Sequence, residues 1–274
     1  LLTDADRWIL DRCSEVIGQV SAKFDGYEFA KLAEDLYHFA WDDFCDWYVE
    51  LAKVALNSGD EALARNTRAV LGSVLDVLLR LLHPLMPFIT ETLWTALTGG
   101  ESLVIAAWPH TGCAPSDQRA AGRIADLQHL VREVRRFRAD QGLKPGQRVA
   151  ARLSTMEEVS LTSLEPAVRS LARLRVPEAD FTPSVSLEVA LSGGLLRVEI
   201  DLSGAVDLAA ERARLDKDLA VAQKELKQCE AKLGNPKFLA NAPDSVVEGI
   251  TARRATALAD IDRITARLSA MPTA

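Results

Sequence analysis

Hydrophobic residues recur every three or four positions over most of the chain, which is the spacing of α-helices that bury one face. Residues 3–56 read as two helices broken at Asp25-Gly26, and two more are predicted at 61–82 and from Pro87 to Gly99. Four of the five tryptophans lie on these segments, which predicts a bundle with a substantial aromatic core. A further helix is predicted at 117–140.

The pattern changes after Gln147, where apolar and polar residues begin to alternate as they do in half-buried strands. A first strand is predicted around 149–153, and Gly193-Gly194 separates two more as a hairpin. The stretch 157–174 is predicted to be helical despite Pro166. Residues 147–204 are therefore expected to form a small α+β module.

The last part of the chain carries apolar residues at alternating steps of three and four, as in a coiled coil. One such seam runs from Leu215 to Leu233 and a second from Val247 to Met271, with a break at Gly234-Asn235-Pro236. Two long helices joined by a short break bury their seams most easily against each other. We therefore predict an antiparallel coiled-coil hairpin, an arm, at 205–274.

Together these patterns predict a mainly α fold with three parts. They are a helical bundle at 1–146 with its basic helix at 117–140, the α+β module at 147–204 and the arm at 205–274. The 274 residues are 48% hydrophobic and 26% charged, with a mean hydropathy of +0.02, as in ordinary globular proteins. No apolar run long enough to span a membrane occurs. The chain begins with Leu1 and not Met, which suggests a fragment of a larger protein.

The net charge of −7 is unevenly distributed. Residues 1–65 hold 14 acidic and 6 basic residues, whereas 123–148 hold 3 acidic and 7 basic and 211–274 hold 9 acidic and 11 basic. An acidic chain can thus still present local basic surfaces to a nucleic acid.

No pattern of catalytic or metal-binding residues is evident in the sequence. Nucleotide-binding glycine loops, nucleophile elbows and paired-histidine metal motifs are missing, and the four cysteines are too widely spaced for a structural zinc site. The acidic residues Asp42, Asp43 and Asp46 are interpreted as the solvated or capping face of a helix. An enzyme that uses Asp42 and Asp43 with His38 is a poor hypothesis, because no nucleophile or set of metal ligands accompanies them. The residues alone indicate a binding module.

The densest basic cluster lies on the helix 117–140 and just after it. Arg132, Arg135 and Arg136 share a face by their spacing, and such a face suits phosphates because neutralising them releases counterions. The alternative, a solvated face paired with Glu133, Asp140 or the acidic bundle, stays open. The candidate RNA-binding residues here are Arg132, Arg135, Arg136, Arg138 and Lys144.

A second set of candidates lies on the predicted arm. Arg254 falls on the seam itself, so it must snorkel, pair with an acid across the hairpin or mark a contact surface. Near the tip, Lys237-Phe238 places a charge beside an apolar ring, a combination that suits a sugar–phosphate partner. The arm candidates are Lys227, Lys232, Lys237, Phe238, Arg253 and Arg254.

Three stretches together carry a family resemblance: the RWIL segment at 7–10, the YHFAWDDFCDWYVE segment at 37–50 and the LHPLMPFITETLW segment at 82–94. They resemble the anticodon-binding bundle of the class I aminoacyl-tRNA synthetases for isoleucine, leucine and valine. The LGNPKFL segment at 233–239, inside a terminal coiled coil, is similar to the valyl-tRNA synthetase family in particular.

This resemblance implies a cytoplasmic C-terminal fragment that binds tRNA(Val), with the bundle on the anticodon stem-loop and the arm on the outer corner of the tRNA. It implies that the parent ligase uses ATP and Mg²⁺ in an upstream catalytic domain, whose HIGH and KMSKS signatures are missing here. The fragment itself is expected to be a monomer without a catalytic residue, a cofactor, a DNA partner or a membrane partner. The alternatives are a coiled-coil interaction module with no RNA role and the equivalent region of another branched-chain synthetase.

Overall fold

A computed structural model describes residues 2–111, 117–202, 208–234, 238 and 243–270 of the chain. It divides into two compact units. The first consists of Leu1–Ala139 with Pro145–Asp201, and the second of Asp140–Lys144 with Leu202–Ala274. The segments predicted as bundle and as α+β module thus belong to one compact unit, and most of the predicted arm forms the other.

The first unit begins with the helical bundle that the hydrophobic spacing predicts. Its helices are α1 (Asp4–Asp25), α2 (Phe29–His38), α3 (Val49–Leu56), α4 (Glu61–Leu82) and α5 (Pro87–Thr98). Between α2 and α3 the backbone stays helical but widens into a π-helical segment, Phe39–Tyr48. The predicted second helix is therefore one continuous rod with a π-helical middle.

Local sequence explains where these helices begin. Thr3 caps α1 by accepting a hydrogen bond from the Asp6 backbone N–H at 3.0 Å, and the Asp6 carboxylate accepts one from the Thr3 N–H at 2.9 Å. Asp60 caps α4 in the same way, accepting from the N–H groups of Ala62 and Leu63.

The aromatic core is smaller than predicted. Trp8, Trp94 and Tyr48 are buried, but the side chains of Trp41 and Phe88 are 56% and 89% exposed. The reason is that helical spacing identifies an apolar face but does not show whether another element packs against it. Only part of that predicted face finds a partner within the described chain.

The second half of the first unit holds α6 (Gln118–Asp140) and a four-stranded sheet. The strands are β1 (Val149–Ser154), β2 (Leu174–Arg175), β3 (Val185–Leu191) and β4 (Gly194–Ile200), in the order β2-β1-β4-β3. β1 runs parallel to β2 and antiparallel to β4, and β3 and β4 form the predicted hairpin.

The prediction of a helix over 157–174 is confirmed only for its middle. The helical part, α7, spans only Glu165–Leu171 and follows a 3-10 turn at Thr162–Leu164. Pro166 lacks a backbone N–H, so it fits only the first turn of a helix and sets its start near Glu165. Upstream, Thr155 and Ser160 adopt positive φ angles of 69° and 57°, which turn the chain before α7.

The second unit contains α8 (Leu208–Leu233) and α9 (Asp244–Ala270), which pack along each other. An ion pair joins Glu225, late in α8, to Arg253, in the first half of α9. The two helices are therefore antiparallel, as predicted. The buried side chains of the seam are Leu215, Cys229, Ile250, Ala257 and Ile264. Among the described helices, none has the length and apolar character needed to cross a membrane.

Candidate RNA-binding surfaces

The helix α6 buries one face and presents an opposite face to solvent. Its apolar residues Ile124, Leu127, Val131 and Val134 are fully buried. On the outer side, exposed residues follow each other at steps of three or four; they are Arg119, Gly122, Ala125, His129, Arg132 and Arg136. We call the four basic members, Arg119, His129, Arg132 and Arg136, the α6 basic stripe.

The contacts of the stripe leave its charges accessible. The Arg132 guanidinium lies over the Trp47 ring at 5.3 Å from its centroid, which orients the group without neutralising it. Arg136 has a side chain 74% exposed and meets Glu133 at 3.5 Å, a surface pair that contributes little. Within the described residues, no carboxylate forms an ion pair with Arg119 or Arg132. The sequence left two interpretations of this face open: a phosphate-binding surface, or a solvated face paired with acids. Among the described ion pairs of the stripe, pairing with an acid is found only for Arg136, and that pair is weak.

Two of the predicted arginines turn to the protein instead. Arg135 is exposed, but its Nε donates to the Leu171 carbonyl at 3.1 Å. Arg138 is buried, with 4% of its surface exposed, and donates to the carbonyls of Arg173, at 3.2 Å, and Gln147. Burial, with a smaller contribution from the charge of Arg173, lowers the pKa of the Arg138 guanidinium. The candidate site is corrected accordingly: Arg138 does not belong to an exposed surface, because it binds backbone carbonyls inside the unit.

Lys144, the last candidate of this group, is exposed, and it belongs to the short segment Asp140–Lys144 of the second unit. Sequence analysis missed Arg119 and His129. The sequence does contain a sign of them: counting back from Arg132 in steps of three or four residues leads to His129 and then to Arg119, on the same helix face.

On the arm, both candidate arginines pair with glutamates of the other helix. Arg253 Nε donates to Glu225 Oε1 at 2.8 Å, and its Nη2 contacts the same oxygen. Arg254 Nη2 lies 3.7 Å from Glu230 Oε1, so the seam position resolves in favour of an acid across the hairpin. The Arg253 and Arg254 side chains are still 63% and 45% exposed. The ion pairs therefore orient the two guanidinium groups at the surface of the hairpin.

The other arm candidates differ in position. Lys227 and Lys232 are exposed on α8, and Phe238 is half-buried. Lys237 lies outside the described residues.

Two acidic residues of the bundle are paired with basic side chains. Asp43 accepts two hydrogen bonds from Arg12, at 3.0 and 3.1 Å, and burial raises the pKa of its carboxyl group although Arg12 opposes this. His38 Nδ1 lies 2.7 Å from the Asp42 carboxylate, and this hydrogen bond raises the pKa of the imidazole. Across the part of the chain that the structure describes, no group of three or more His, Cys, Asp or Glu side chains could hold a metal ion.

Comparison with known proteins matches both regions. Residues 6–153 match a family model described as the anticodon-binding domain of tRNA ligase, and residues 207–272 match one described as the valyl tRNA synthetase tRNA binding arm. The chain is 58% identical to a valine–tRNA ligase of Nocardia farcinica and 55% identical to one of Mycobacterium tuberculosis, each over 98% of its own length. It spans 30% of the length of each of these relatives.

Proposed function

We propose that this chain is the C-terminal, tRNA-binding region of a valine–tRNA ligase. The premise is that the chain belongs to the family of tRNA ligases that carry the anticodon-binding domain. In this proposal it binds tRNA(Val) in the cytoplasm as a monomer. Valine activation with ATP and Mg²⁺ belongs to the part of the ligase that this chain does not include. The alternative of another branched-chain synthetase is disfavoured because relatives that are 53–58% identical are valine–tRNA ligases and a valyl arm model matches residues 207–272.

The observation that carries the proposal is the hairpin of α8 and α9. It coincides with the matched arm region, and it presents Arg253 and Arg254 at its surface, with Arg253 held there by two hydrogen bonds to Glu225. Cations held in place lose less freedom when they meet phosphates, so an RNA backbone is bound at lower entropic cost. Five described seam residues are buried where α8 packs along α9, which disfavours the alternative that the helices exist to dimerise.

The α6 basic stripe supports a second contact, in the first unit. Gly122 and Ala125 lie between its cations, and a Cβ atom at Gly122 would meet no neighbour, so the surface there is open. A sugar–phosphate backbone can approach such a surface closely while Arg119, Arg132 and Arg136 meet its phosphates.

Neither surface supplies a reacting group, so the contribution of this chain to aminoacylation is to position the tRNA. Contacts at separated points of an L-shaped RNA fix its acceptor end relative to a distant active site. Such positioning lowers a barrier by removing the entropic cost of orienting the two reactants.

The direct test is a binding titration of this chain against tRNA(Val) and against a scrambled RNA of equal length, at two salt concentrations. We expect tighter binding of tRNA(Val), and an affinity that falls as salt rises because phosphate contacts release counterions. Equal, weak binding of both RNAs would contradict the proposal. Light scattering over a range of chain concentrations checks the monomer.

A further inference from the structure

The helix α5 exposes large apolar side chains. Thr90 and Trp94 are its buried residues, and the Trp94 indole N–H donates to Asp76 at 2.6 Å. Elsewhere around the helix, Phe88 is 89%, Ile89 52%, Leu93 49% and Leu97 46% exposed. With Leu85, which is 39% exposed one turn earlier, these residues form what we call the outer α5 face.

This face is continuous and uncharged. Ile89, Leu93 and Leu97 follow each other at steps of four within α5, so neighbouring side chains lie about 5–6 Å apart along the helix, and Leu85 lies in the turn just before it. α5 contains no lysine or arginine, and its one acid, Glu91, accepts a hydrogen bond from the Leu103 N–H at 2.9 Å. Continuous apolar patches larger than a few hundred Å² are rare on monomeric proteins and mark interaction sites.

The chemistry of the outer α5 face limits the kinds of partner that can bind to it. An RNA backbone needs cations to meet its phosphates, and α5 offers none, so the tRNA of the proposed function is a poor occupant. A polypeptide with an apolar surface fits. Since the chain spans 30% of the length of its relatives, most of the ligase polypeptide is available to cover this face.

We propose that the outer α5 face docks onto the part of the same ligase polypeptide that this chain does not include. The inference rests on the proposed function, because it takes the chain to be one region of a valine–tRNA ligase. Domain interfaces within one chain bury about 600–1,500 Å², a size to which five large apolar side chains contribute substantially. The docking would connect the tRNA-binding bundle to the remainder of the enzyme.

The test measures thiol reactivity at the centre of the face. Phe88→Cys is introduced into this chain and into the full-length ligase, and its alkylation by N-ethylmaleimide is followed by peptide mass spectrometry. We expect alkylation in the full-length ligase to be slower by at least about tenfold, because a thiol in a packed interface reacts only when the interface opens. Ala252→Cys, at an exposed position of α9, is the matched control and should react equally in both proteins.

A second variant tests whether slow alkylation at position 88 is caused by docking of the outer α5 face. Leu93→Asp should restore fast alkylation at position 88 in the full-length ligase, while it leaves the thermal unfolding midpoint of this chain almost unchanged. Equal rates at position 88 in the two proteins would overturn the proposal. So would protection in this chain alone that grows with its concentration, which indicates a second copy, or protection by added tRNA, which indicates RNA. The titration with tRNA(Val) tests the proposed function separately.

Discussion

The buried carboxylate of Asp6 accepts a hydrogen bond from the Tyr48 hydroxyl at 2.8 Å, and so joins the first turn of α1 to the end of the π-helical segment. Its other oxygen accepts from Thr67 of α4 at 3.1 Å. One fully buried acid therefore connects three helical elements of the bundle. Burial in the first place, and then the charge of Asp6 and the hydrogen bond to it, raise the pKa of the Tyr48 hydroxyl well above its ordinary value.

Replacing Tyr48 with Phe should destabilise the chain by about 1–3 kcal/mol, because a buried carboxylate oxygen loses its donor. Chemical denaturation at neutral pH measures the loss. Tyr37→Phe, at a hydroxyl that is on the surface, serves as the control and should leave the free energy of unfolding almost unchanged. A similar loss in both variants would contradict the role of the buried network.

The same pair predicts alkaline instability. In the unfolded chain Tyr48 ionises near a pKa of about 10, whereas in the folded chain it stays protonated at that pH. Unfolding then releases a proton, so the free energy of unfolding should fall as the pH rises above about 10. Tyr48→Phe should show a shallower fall over this range, measured by denaturation at a series of pH values. An unchanged slope would argue against the raised pKa.

Charge reversal on the α6 basic stripe should weaken RNA binding. Arg132→Glu with Arg136→Glu removes two exposed cations, and we expect a loss of affinity for tRNA(Val) on the order of tenfold and a smaller salt dependence. Arg65→Glu with Arg68→Glu makes the same change in net charge on exposed positions of α4 and is the control. Equal effects of both pairs would mean that only net charge matters.

Neighbouring arginines of α6 should behave in opposite ways. Arg138→Ala should cost about 1.5–3 kcal/mol of stability, because the carbonyls of Arg173 and Gln147 lose a charged donor. Arg136→Ala should change stability by less than about 0.5 kcal/mol, as surface substitutions do, and should weaken tRNA binding instead. Thermal unfolding and RNA titration of both variants separate the two roles. A weakened affinity for Arg138→Ala without loss of stability would return Arg138 to the binding surface.

On the arm, Arg253→Glu with Arg254→Glu should weaken tRNA binding while the helix content, measured by far-UV circular dichroism, stays largely intact. The new carboxylates would face Glu225 and Glu230, so some loss of hairpin stability is also expected. A control variant, Glu225→Arg with Arg253→Glu, exchanges the two partners of one ion pair. It keeps both the net charge and an ion pair at this position, so any change in its stability does not come from a change in charge. Unchanged affinity in the double reversal would exclude these two arginines from the binding surface.

Sequence periodicity predicted the bundle helices, the hairpin of strands and the seams of the arm because each depends on local spacing. It could not tell which apolar residues find a partner, so the predicted aromatic core includes Trp41, which is 56% exposed. Likewise, four arginines within seven residues read as one cluster, but rotation about α6 sends Arg138 inward and Arg132 outward. The burial of a charged residue depends on carbonyls distant in sequence, such as that of Arg173, and no local pattern encodes those.

Because the seam between α8 and α9 is narrow, the residues that keep the hairpin folded are different from the outer residues that are available for binding. Among its described side chains, the buried ones are a leucine, a cysteine, an alanine and two isoleucines, and the outer positions contribute little to packing. Substitutions at outer positions that make no ion pair across the hairpin should then change the folding free energy little. A hairpin of this kind can be resurfaced for a different RNA, by evolution or by an engineer, without its interior being redesigned.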